Sequence, residues 1–358
     1  MSDYHSYFPH SVSCGASYTL VIDDNGYVWA FGWNSDGQLG VGDRVERQVP
    51  TRIDTLPEIQ MIATGNYQSL FLDVNGQVWG CGKNDRNQLG LGAQRPNILV
   101  PEPINIPAAI KQIAIGDNQS FFVDVERQVW CMRSKKITPG DAEFHLEVNI
   151  LEGLPQIEFI TAKDGNLYLL DINGEVWSCG NNSFSQLGVA TAAFSEKPAK
   201  IQDLSNIRFI ATGGINAVFL DQQFCVYGVG CSTNGQLGRG SNVLQPTKFL
   251  DQKLNIQLVS CEVKKTILLD NKGKAWCTAP KGHRKVYLKF AKVPRIVYIN
   301  SGPTHSVFLD EYGGLWTNYL QPIPKSTDKN LRLTKVDGAP IVRTTFQGTI
   351  HVKSARKK

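Results

Sequence analysis

The apolar residues of this chain follow a pattern that recurs about every 50 positions. In each unit, three successive apolar residues precede an aspartate, and an aromatic residue follows six positions after that aspartate. The second unit shows the pattern with Leu70-Phe71-Leu72, Asp73 and Trp79. A strand that is apolar at successive positions is covered on both of its faces. The pattern therefore predicts a sheet that packs between two neighbouring sheets.

The unit occurs seven times. Its aromatic position is filled by Trp29, Trp79, Trp130, Trp177, Tyr227, Trp276 and Trp316. Its most uniform position is the aspartate, which is Asp23, Asp73, Asp124, Asp171, Asp221, Asp270 and Asp310. A short carboxylate beside a turn can accept hydrogen bonds from backbone N–H groups. We therefore predict a structural role for these seven aspartates.

Turn residues and prolines predict how each unit folds. Asn75-Gly76, repeated at Asn25-Gly26 and Asn173-Gly174, predicts a two-residue hairpin turn with positive φ. A further strand follows a proline, as at Pro50 and Pro101, and proline suits a strand on the outer rim. Four antiparallel strands in each of seven units predict an all-β fold, a seven-bladed β-propeller of four-stranded antiparallel blades. A β-solenoid is the alternative, and it is disfavoured because each unit contains its own tight hairpin.

The repeats define the domain boundaries. Residues 1–11 are an N-terminal lead-in, residues 12–340 hold the seven propeller repeats, and residues 353–358 are a basic tail. Residues 341–352 resemble the first half of another repeat. We expect this closing segment to complete the ring beside the strands at the start of the chain, which would leave no exposed sheet edge there.

The sequence contains no pattern typical of a membrane-spanning, secreted or metal-binding protein. No run of about 18 apolar residues occurs, and Met1 to Tyr7 lacks the basic and apolar regions of a signal peptide. We therefore expect an intracellular protein, cytoplasmic or nuclear and not secreted, with no membrane span. Several cysteines, such as Cys81 and Cys179, lie inside predicted strands and suit small buried residues. Because neither a CxxC pair nor an HxxxH motif is present, we predict no metal site and no cofactor.

The sequence holds no pattern typical of an active site. Its glycines belong to the turns of the repeat, and neither a GxGxxG between a strand and a helix nor a GxxxxGK[ST] occurs. His305 and Ser306 are adjacent, but they fill the repeat position of Gln68 and Ser69. That position predicts a place in a strand rather than nucleophilic catalysis. We therefore predict no catalytic residues and no enzymatic activity.

Positive charge is concentrated in the sixth repeat. The net charge is only +5, whereas residues 263–295 hold ten Lys or Arg against one acid, Asp270. From this segment we predict a partner-binding basic patch of Lys264, Lys265, Lys281, Arg284, Lys285, Lys289, Lys292 and Arg295. A secondary candidate is the loop of the third repeat with Arg133, Lys135 and Lys136. Such patches attract phosphate backbones, acidic proteins or anionic lipid headgroups, and a merely solvated face is the alternative interpretation.

Four repeats carry a Gln-Leu-Gly motif nine residues after the aromatic residue, at Gln38, Gln88, Gln186 and Gln236. With Asn-Gly and Val-Trp in the same order and spacing, this motif makes residues 12 to 320 resemble the repeats of the regulator of chromosome condensation family, with this chain a divergent member. The resemblance implies a seven-bladed propeller. The best-known member of that family is a nucleotide exchange factor for the small GTPase Ran, which also binds chromatin, and many other members are scaffolds.

In that exchange factor a β-wedge inserted into one blade contacts the GTPase. No repeat of this chain is lengthened by such a wedge, and the third, sixth and seventh repeats lose the Gln-Leu-Gly motif. We therefore predict a monomeric, non-catalytic propeller scaffold that binds a macromolecular partner through its loop faces. The partner classes are a protein, with a small GTPase or a chromatin protein as candidates, or a polyanion such as nucleic acid. The alternative function is that of a guanine nucleotide exchange factor for a Ran-like small GTPase.

Overall fold

The first two strands of each repeat form the inner half of a blade. The computed structural model describes residues 11–92, 94–135, 144–190, 193–250, 254–278, 287–290, 293–319, 330–331 and 333–342. The first strands are β1 (Val12–Cys14), β5 (Ile59–Thr64), β9 (Ile110–Ile115), β13 (Ile157–Lys163), β17 (Ile207–Thr212), β21 (Ile256–Cys261) and β25 (Ile296–Ser301). The second strands are β2 (Tyr18–Ile22), β6 (Gln68–Asp73), β10 (Gln119–Asp124), β14 (Asn166–Asp171), β18 (Asn216–Asp221), β22 (Thr266–Asp270) and β26 (His305–Asp310).

The other two strands form the outer half of the blade. The third strands are β3 (Val28–Gly32), β7 (Val78–Lys83), β11 (Val129–Lys135), β15 (Val176–Asn181), β19 (Val226–Gly230), β23 (Ala275–Thr278) and β27 (Leu315–Tyr319). The fourth strands are β4 (Arg47–Arg52), β8 (Asn97–Ile104), β12 (His145–Ile150), β16 (Phe194–Lys200), β20 (Val243–Leu250), β24 (Tyr287–Phe290) and β29 (Thr334–Lys335). One further strand, β28 (Asn330–Leu331), pairs in parallel with the outer edge of β24.

Each repeat forms one antiparallel sheet with its strands in chain order, and blade 6 gains β28 as a fifth strand. The predicted all-β, seven-bladed propeller of four-stranded blades is therefore confirmed. The first strands of neighbouring blades contact one another all around the ring, and β1 contacts β25 where the circle closes. The proline-containing fourth strands of blades 1, 2, 4 and 5 lie at the outer edge, as predicted.

The core lies between the blades. Every residue of the second strands is buried except Gln119, which is half-buried. At the middle of four of these strands stand Phe71, Phe122, Phe219 and Phe308, each with no exposed surface. Burial of a phenylalanine contributes on the order of 1.5–3 kcal/mol. The expectation of strands covered on both faces is confirmed, since each sheet packs against a neighbour on either side.

The hairpin turn differs from the predicted two-residue turn. Asp73 donates its N–H to the carbonyl of Gln77 (3.0 Å), and Gly76 donates to the carbonyl of Asp73 (3.1 Å). The loop is therefore three residues long, and only Gly76 has positive φ, at 83°. The reason is the carboxylate of Asp73, which accepts the N–H groups of Asn75 and Gln77. These bonds hold the first two loop residues in a right-handed turn and leave the left-handed position to glycine.

Replacing Gly76 by alanine is expected to destabilise the fold more than the same change at Gly153. Both glycines have positive φ, at 83° and 78°, which costs a non-glycine residue about 1–2 kcal/mol. An added Cβ at Gly76 would also lie 3.1 Å from the carbonyl oxygen of Ile110 in the next blade, whereas nothing lies within 4 Å at Gly153. We expect Gly76→Ala to cost about 1 kcal/mol more than Gly153→Ala, measured by urea unfolding. Equal losses would show that this contact between blades is not tight.

The closing segment is described only at its start. Val342 forms an antiparallel bridge to Asp23 of blade 1 and has no exposed surface. Its N–H donates to the carbonyl of Gly313 (3.2 Å), just as Ile59 donates to Gly26 (3.0 Å) and pairs with Asp73 in blade 2. Val342 therefore occupies the place of the first residue in the first strand of blade 1. Closure by the whole of residues 341–352 stays a prediction, because residues 343–358 and the lead-in up to residue 10 lie outside the described residues.

Candidate functional site

The repeated aspartates hold the hairpins of the blades. In blade 2, Asp73 accepts the backbone N–H groups of Asn75 (2.9 Å) and Gln77 (3.0 Å) at Oδ1 and the indole N–H of Trp79 (3.1 Å) at Oδ2. Each of the other aspartates accepts a hydrogen bond at Oδ2 from the aromatic side chain six residues later. These donors are Trp29, Trp130, Trp177, Tyr227, Trp276 and Trp316. These bonds explain why the aspartate and the aromatic residue recur together. Both carboxylate oxygens are engaged within the blade.

A central channel runs through the ring. It has a volume of about 180 Å³ and is lined by the first strands of all seven blades. Hydroxyl groups face it from Ser13, Thr64, Thr161, Thr212 and Ser260 among other residues. The Ser13 and Thr64 hydroxyls share a hydrogen bond of 2.8 Å between blades 1 and 2. The channel is thus polar at its lining while the core between the blades is apolar.

An ion pair crosses one mouth of this channel. The residue eight positions before the repeated aspartate is glycine in five repeats, at Gly15, Gly65, Gly116, Gly213 and Gly302. The same position holds Lys163 in blade 4 and Glu262 in blade 6, and Lys163 Nζ lies 2.5 Å from Glu262 Oε1. Their side chains are 18% and 2% exposed. The two residues that replace glycine at this position therefore form an ion pair, which links blades 4 and 6 across blade 5.

Close packing explains why blades 5 and 7 keep glycine at this position. A Cβ on Gly213 would lie 2.6 Å from the backbone carbon of Glu262, and one on Gly302 would lie 2.1 Å from the carbonyl oxygen of Gly15. The loops of neighbouring blades touch through their backbones here. Burial opposes the charge of Lys163, but the Glu262 carboxylate outweighs it and holds the lysine pKa above its ordinary value.

Lys265 belongs to this buried cluster and not to an exposed basic patch. It is 7% exposed, burial lowers its pKa, and none of the described residues lies within hydrogen-bonding distance of its Nζ. It fills the repeat position at which Gln68 and Asn216 bond to the next blade. The prediction that Lys265 lies on the surface was wrong, because this position points into the interface between blades.

His305 occupies the same repeat position in blade 7. Its Nε2 shares a hydrogen bond of 2.7 Å with the Thr19 hydroxyl of blade 1. Burial, with a smaller effect of Lys265 and Lys163, lowers the pKa of His305 to about 4. The imidazole is therefore neutral at physiological pH and joins the last blade to the first. Its place in a strand agrees with the sequence prediction.

An acidic pair lies beside the ion pair on the blade 3 and blade 4 side. The amide of Asn66 donates to Asp117 Oδ1 (2.5 Å) and lies 3.3 Å from Asp164 Oδ1. Burial, reinforced by the charge of Asp164, raises the pKa of Asp117 to about 6. The mouth therefore carries the carboxyl groups of Asp117 and Asp164 beside the Lys163–Glu262 ion pair.

The described residues of the predicted basic patch do not lie together. Lys264 is exposed in the loop between β21 and β22, and Arg295 is exposed before β25, at the opposite end of the blade. Only the backbone of Lys289 is described, in β24. The remaining four residues, Lys281, Arg284, Lys285 and Lys292, lie outside the described residues. A patch built from those residues stays a prediction.

The secondary candidate on blade 3 is neutralised by its neighbours. Arg133 Nε lies 3.0 Å from Glu147 Oε2, and Lys135 Nζ lies 3.2 Å from Glu147 Oε1. Glu196 of blade 4 lies 3.9 Å from Arg133. Lys136 lies outside the described residues. The described part of this loop therefore offers paired charges and not a free cationic surface.

The cysteines lie inside the fold as buried thiols. All eight cysteines are buried and free of disulfides. Burial raises the pKa of Cys14 to about 12 and that of Cys131 to about 11, which keeps both thiols protonated at physiological pH. Among the described residues, no group of three His, Cys, Asp or Glu side chains is placed to hold a metal ion. No helix in the same part of the chain has the length and apolar character needed to cross a membrane.

Comparison with known proteins agrees with this architecture. The sequence profile of the regulator of chromosome condensation (RCC1) repeat matches residues 25–72, 75–123 and 173–220, and a second profile of the same repeat matches residues 10–38. Fold and repeat together define a seven-bladed propeller that carries a polar channel and two loop faces. The chain carries repeats of the regulator of chromosome condensation family.

Two relatives and one solved structure illustrate the likeness. The Ultraviolet-B receptor UVR8 of Arabidopsis thaliana is 27% identical over 278 residues, which cover 74% of this chain and 63% of the relative. The probable E3 ubiquitin-protein ligase HERC6 of Homo sapiens is 31% identical over 212 residues, 55% of this chain and 20% of the relative. This chain therefore spans less than two thirds of the length of either protein. The structure of Prp20p from Saccharomyces cerevisiae superposes with a TM-score of 0.74 at 19% identity, over 93% of this chain and 88% of that one, which shows a shared fold.

Proposed function

We propose that this protein is a non-catalytic propeller scaffold that binds a partner protein through one loop face. We call the face that carries the loops between first and second strands and between third and fourth strands the upper face. These two kinds of loop lie side by side, since Trp33 donates its N–H to Ser17 (2.9 Å) and Lys83 donates to Tyr67 (2.9 Å). The opposite face, which carries the hairpin turns, is the lower face.

The main support for this binding face is a set of exposed aromatic side chains on it. Trp33, Tyr67 and Phe184 are 48%, 42% and 41% exposed, on blades 1, 2 and 4. Exposure of a large aromatic side chain to water is unfavourable in free energy, and such side chains are enriched at the centres of protein interfaces. Tyr67 is also held beside an ammonium group, with Lys83 Nζ 5.6 Å from the ring centre. This face thus presents rigid apolar anchors among charged residues.

The repeated aspartates, the buried thiols and His305 support a binding role over a catalytic one. The repeated aspartates are saturated by turn and indole donors, the buried thiols whose pKa is raised are protonated, and His305 is neutral and bonded to Thr19. A nucleophile or general base needs a free, ionised group near neutral pH. Prp20p, which shares this fold, binds Gsp1p and histones, which is consistent with a partner-binding propeller.

A matched pair of variants tests the proposal. The triple variant Trp33→Ala, Tyr67→Ala, Phe184→Ala should lose most of the proteins that the wild type captures from lysate of the source cells, because interface aromatics carry much of the binding free energy. The control Tyr312→Ala removes a side chain that is 75% exposed on the lower face, and it should retain them. Quantitative mass spectrometry of the captured proteins gives the readout. Identical captures by all three proteins would reject the upper face as the binding surface.

A nucleotide-release measurement addresses the alternative function. We expect that sub-stoichiometric protein leaves the release of a fluorescent guanine nucleotide from a Ran-like GTPase unchanged. Accelerated release would replace the scaffold function by exchange activity. The result is independent of the capture experiment, because release reports on the nucleotide and not on the stability of a complex.

A further inference from the structure

The outer strand of a propeller blade is an open sheet edge, and this chain protects most of its edges. Unpaired N–H and C=O groups at an edge can pair with another chain, and proline and β-bulges prevent such pairing. In blades 1, 2, 4 and 5, the fourth strand contains a proline, and an apolar residue follows it three positions later, near the end of that strand. These prolines are Pro50, Pro101, Pro198 and Pro246, before Ile53, Ile104, Ile201 and Phe249.

The prolines face outward. Ile53 donates its N–H to Val28 (2.9 Å) and Ile201 donates to Val176 (2.8 Å), so both residues bond inward to the third strand. In an antiparallel strand, every second residue directs its N–H and C=O groups to the same neighbouring strand. A residue three positions before Ile53 or Ile201 therefore directs its backbone groups away from the blade. The missing N–H of the proline is therefore one that an added strand would have needed. The same four blades also show a register shift between their third and fourth strands.

Blade 3 has neither form of protection. Leu151 donates its N–H to Val129 (2.8 Å), in the same register as Ile53 and Ile201, but the residue three positions earlier is Val148. The strand β12 contains no proline and pairs with β11 over six successive residues without a shift, from Trp130 opposite Ile150 to Lys135 opposite His145. Its outward N–H and C=O groups are those of Leu146, Val148 and Ile150.

Blade 6 shows what such an edge does in this fold. Its fourth strand, β24, also lacks a proline and pairs without a shift with β23. The chain itself covers this edge, because β28 adds to it in parallel, with Lys289 opposite Asn330 and Phe290 opposite Leu331. Blade 7 presents a fourth strand of only two residues. Among the described residues, β12 is thus a long, regular, proline-free edge that no strand covers.

We propose that β12 accepts an extended segment of a partner protein, which adds a fifth strand to blade 3. The inference rests on the proposed function, because it requires a protein partner. The added segment would place alternate side chains beside Val148 and Ile150, of which Ile150 is 38% exposed, and beside the Glu147–Arg133 ion pair on the other side. Strand addition gives affinity through the backbone and specificity through alternate side chains. The occupant is therefore a peptide of alternating apolar and polar residues with no proline among its paired positions.

Replacing Val148 by proline tests the proposal because it copies the protection of the other blades. Val148→Pro removes one outward N–H that the blade does not use, and it also loses the packing of the valine side chain against the core. Its melting temperature should therefore match that of the control Val148→Ala, which loses the same packing. The control Val148→Ala keeps the N–H and shortens the side chain. A library of random seven-residue peptides is selected on the wild-type protein. The selected peptides should show alternating apolar residues, bind Val148→Ala with similar affinity, and bind Val148→Pro about tenfold more weakly or worse.

Amide hydrogen exchange provides a readout that does not depend on the variants. Bound peptide should slow exchange at Leu146, Val148 and Ile150, whose N–H groups face solvent in the free protein. Peptides that bind all three proteins equally, or that leave these amides unprotected, would overturn the proposal. Concentration-dependent self-association that Val148→Pro abolishes would assign the edge to a second copy and equally overturn it. If Val148→Pro captures the same proteins that the aromatic triple variant loses, the proposed function stands and the edge proposal fails.

Discussion

Replacing Lys163 by methionine is expected to lower the free energy of unfolding by about 3–5 kcal/mol, because it leaves the carboxylate of Glu262 buried without its partner. Glu262 is 2% exposed, and its Oε2 has no hydrogen-bond partner among the described residues. The Lys163 ammonium at 2.5 Å is thus its principal compensation. Urea unfolding of the wild type and of Lys163→Met measures the difference.

The double variant Lys163→Met, Glu262→Met separates loss of a charge partner from loss of packing. Two apolar side chains of similar length often replace a buried ion pair at little cost, so the double variant should recover most of the stability.

The pH dependence of the loss in Lys163→Met has a definite sign. Burial raises the pKa of Glu262 above 4.5, so the native state binds a proton more tightly than the unfolded state does. The deficit of Lys163→Met should therefore be largest near neutral pH and shrink as the pH falls toward 5. A double variant as unstable as Lys163→Met would contradict the role of the pair.

The fold was predictable because it depends on local patterns that repeat. The buried triplets, the aspartate before each turn and the outer prolines each reflect a short-range requirement. Seven copies of the first two and four copies of the prolines remove most of the ambiguity. The length of the turn was not predictable from Asn75-Gly76 alone. The Asp73 carboxylate adds two hydrogen bonds that select a three-residue loop, and the sequence rule for hairpins does not include that side chain.

The channel mouth was missed because its contacts join residues far apart in the chain. Lys163 and Glu262 are 99 positions apart, and neither belongs to a known motif. Their signal was nevertheless present, since they are the two departures from glycine at one repeat position. Lys265 was misplaced for a related reason. A run of positive residues gives the charge of a segment but not the direction of each side chain, and in blade 6 one lysine of the pair faces solvent and the next faces the interior.

Replacing Val342 by aspartate is expected to lower the free energy of unfolding by about 3–5 kcal/mol, because it places an unpaired charge in a buried position and removes an apolar side chain from the core. Val342 has no exposed surface and packs with the core residues that join blades 7 and 1. The first strand of blade 1 is otherwise supplied by the start of the chain, where Ser11 accepts the N–H of Ile22 (2.7 Å). One strand is thus built from both ends of the propeller.

The neighbouring residue provides the control for this closure. Ile341 is 66% exposed, so Ile341→Asp introduces the same charge one position away and should change stability by less than about 0.5 kcal/mol. Thermal unfolding followed by circular dichroism compares the two variants with the wild type. A large loss for Val342→Asp alone would mean that the ring is held closed by this buried residue, since in a closed propeller the opening of one strand exposes the facing surfaces of blades 7 and 1 together. Equal melting temperatures for all three proteins would mean that residues after 340 do not close the ring.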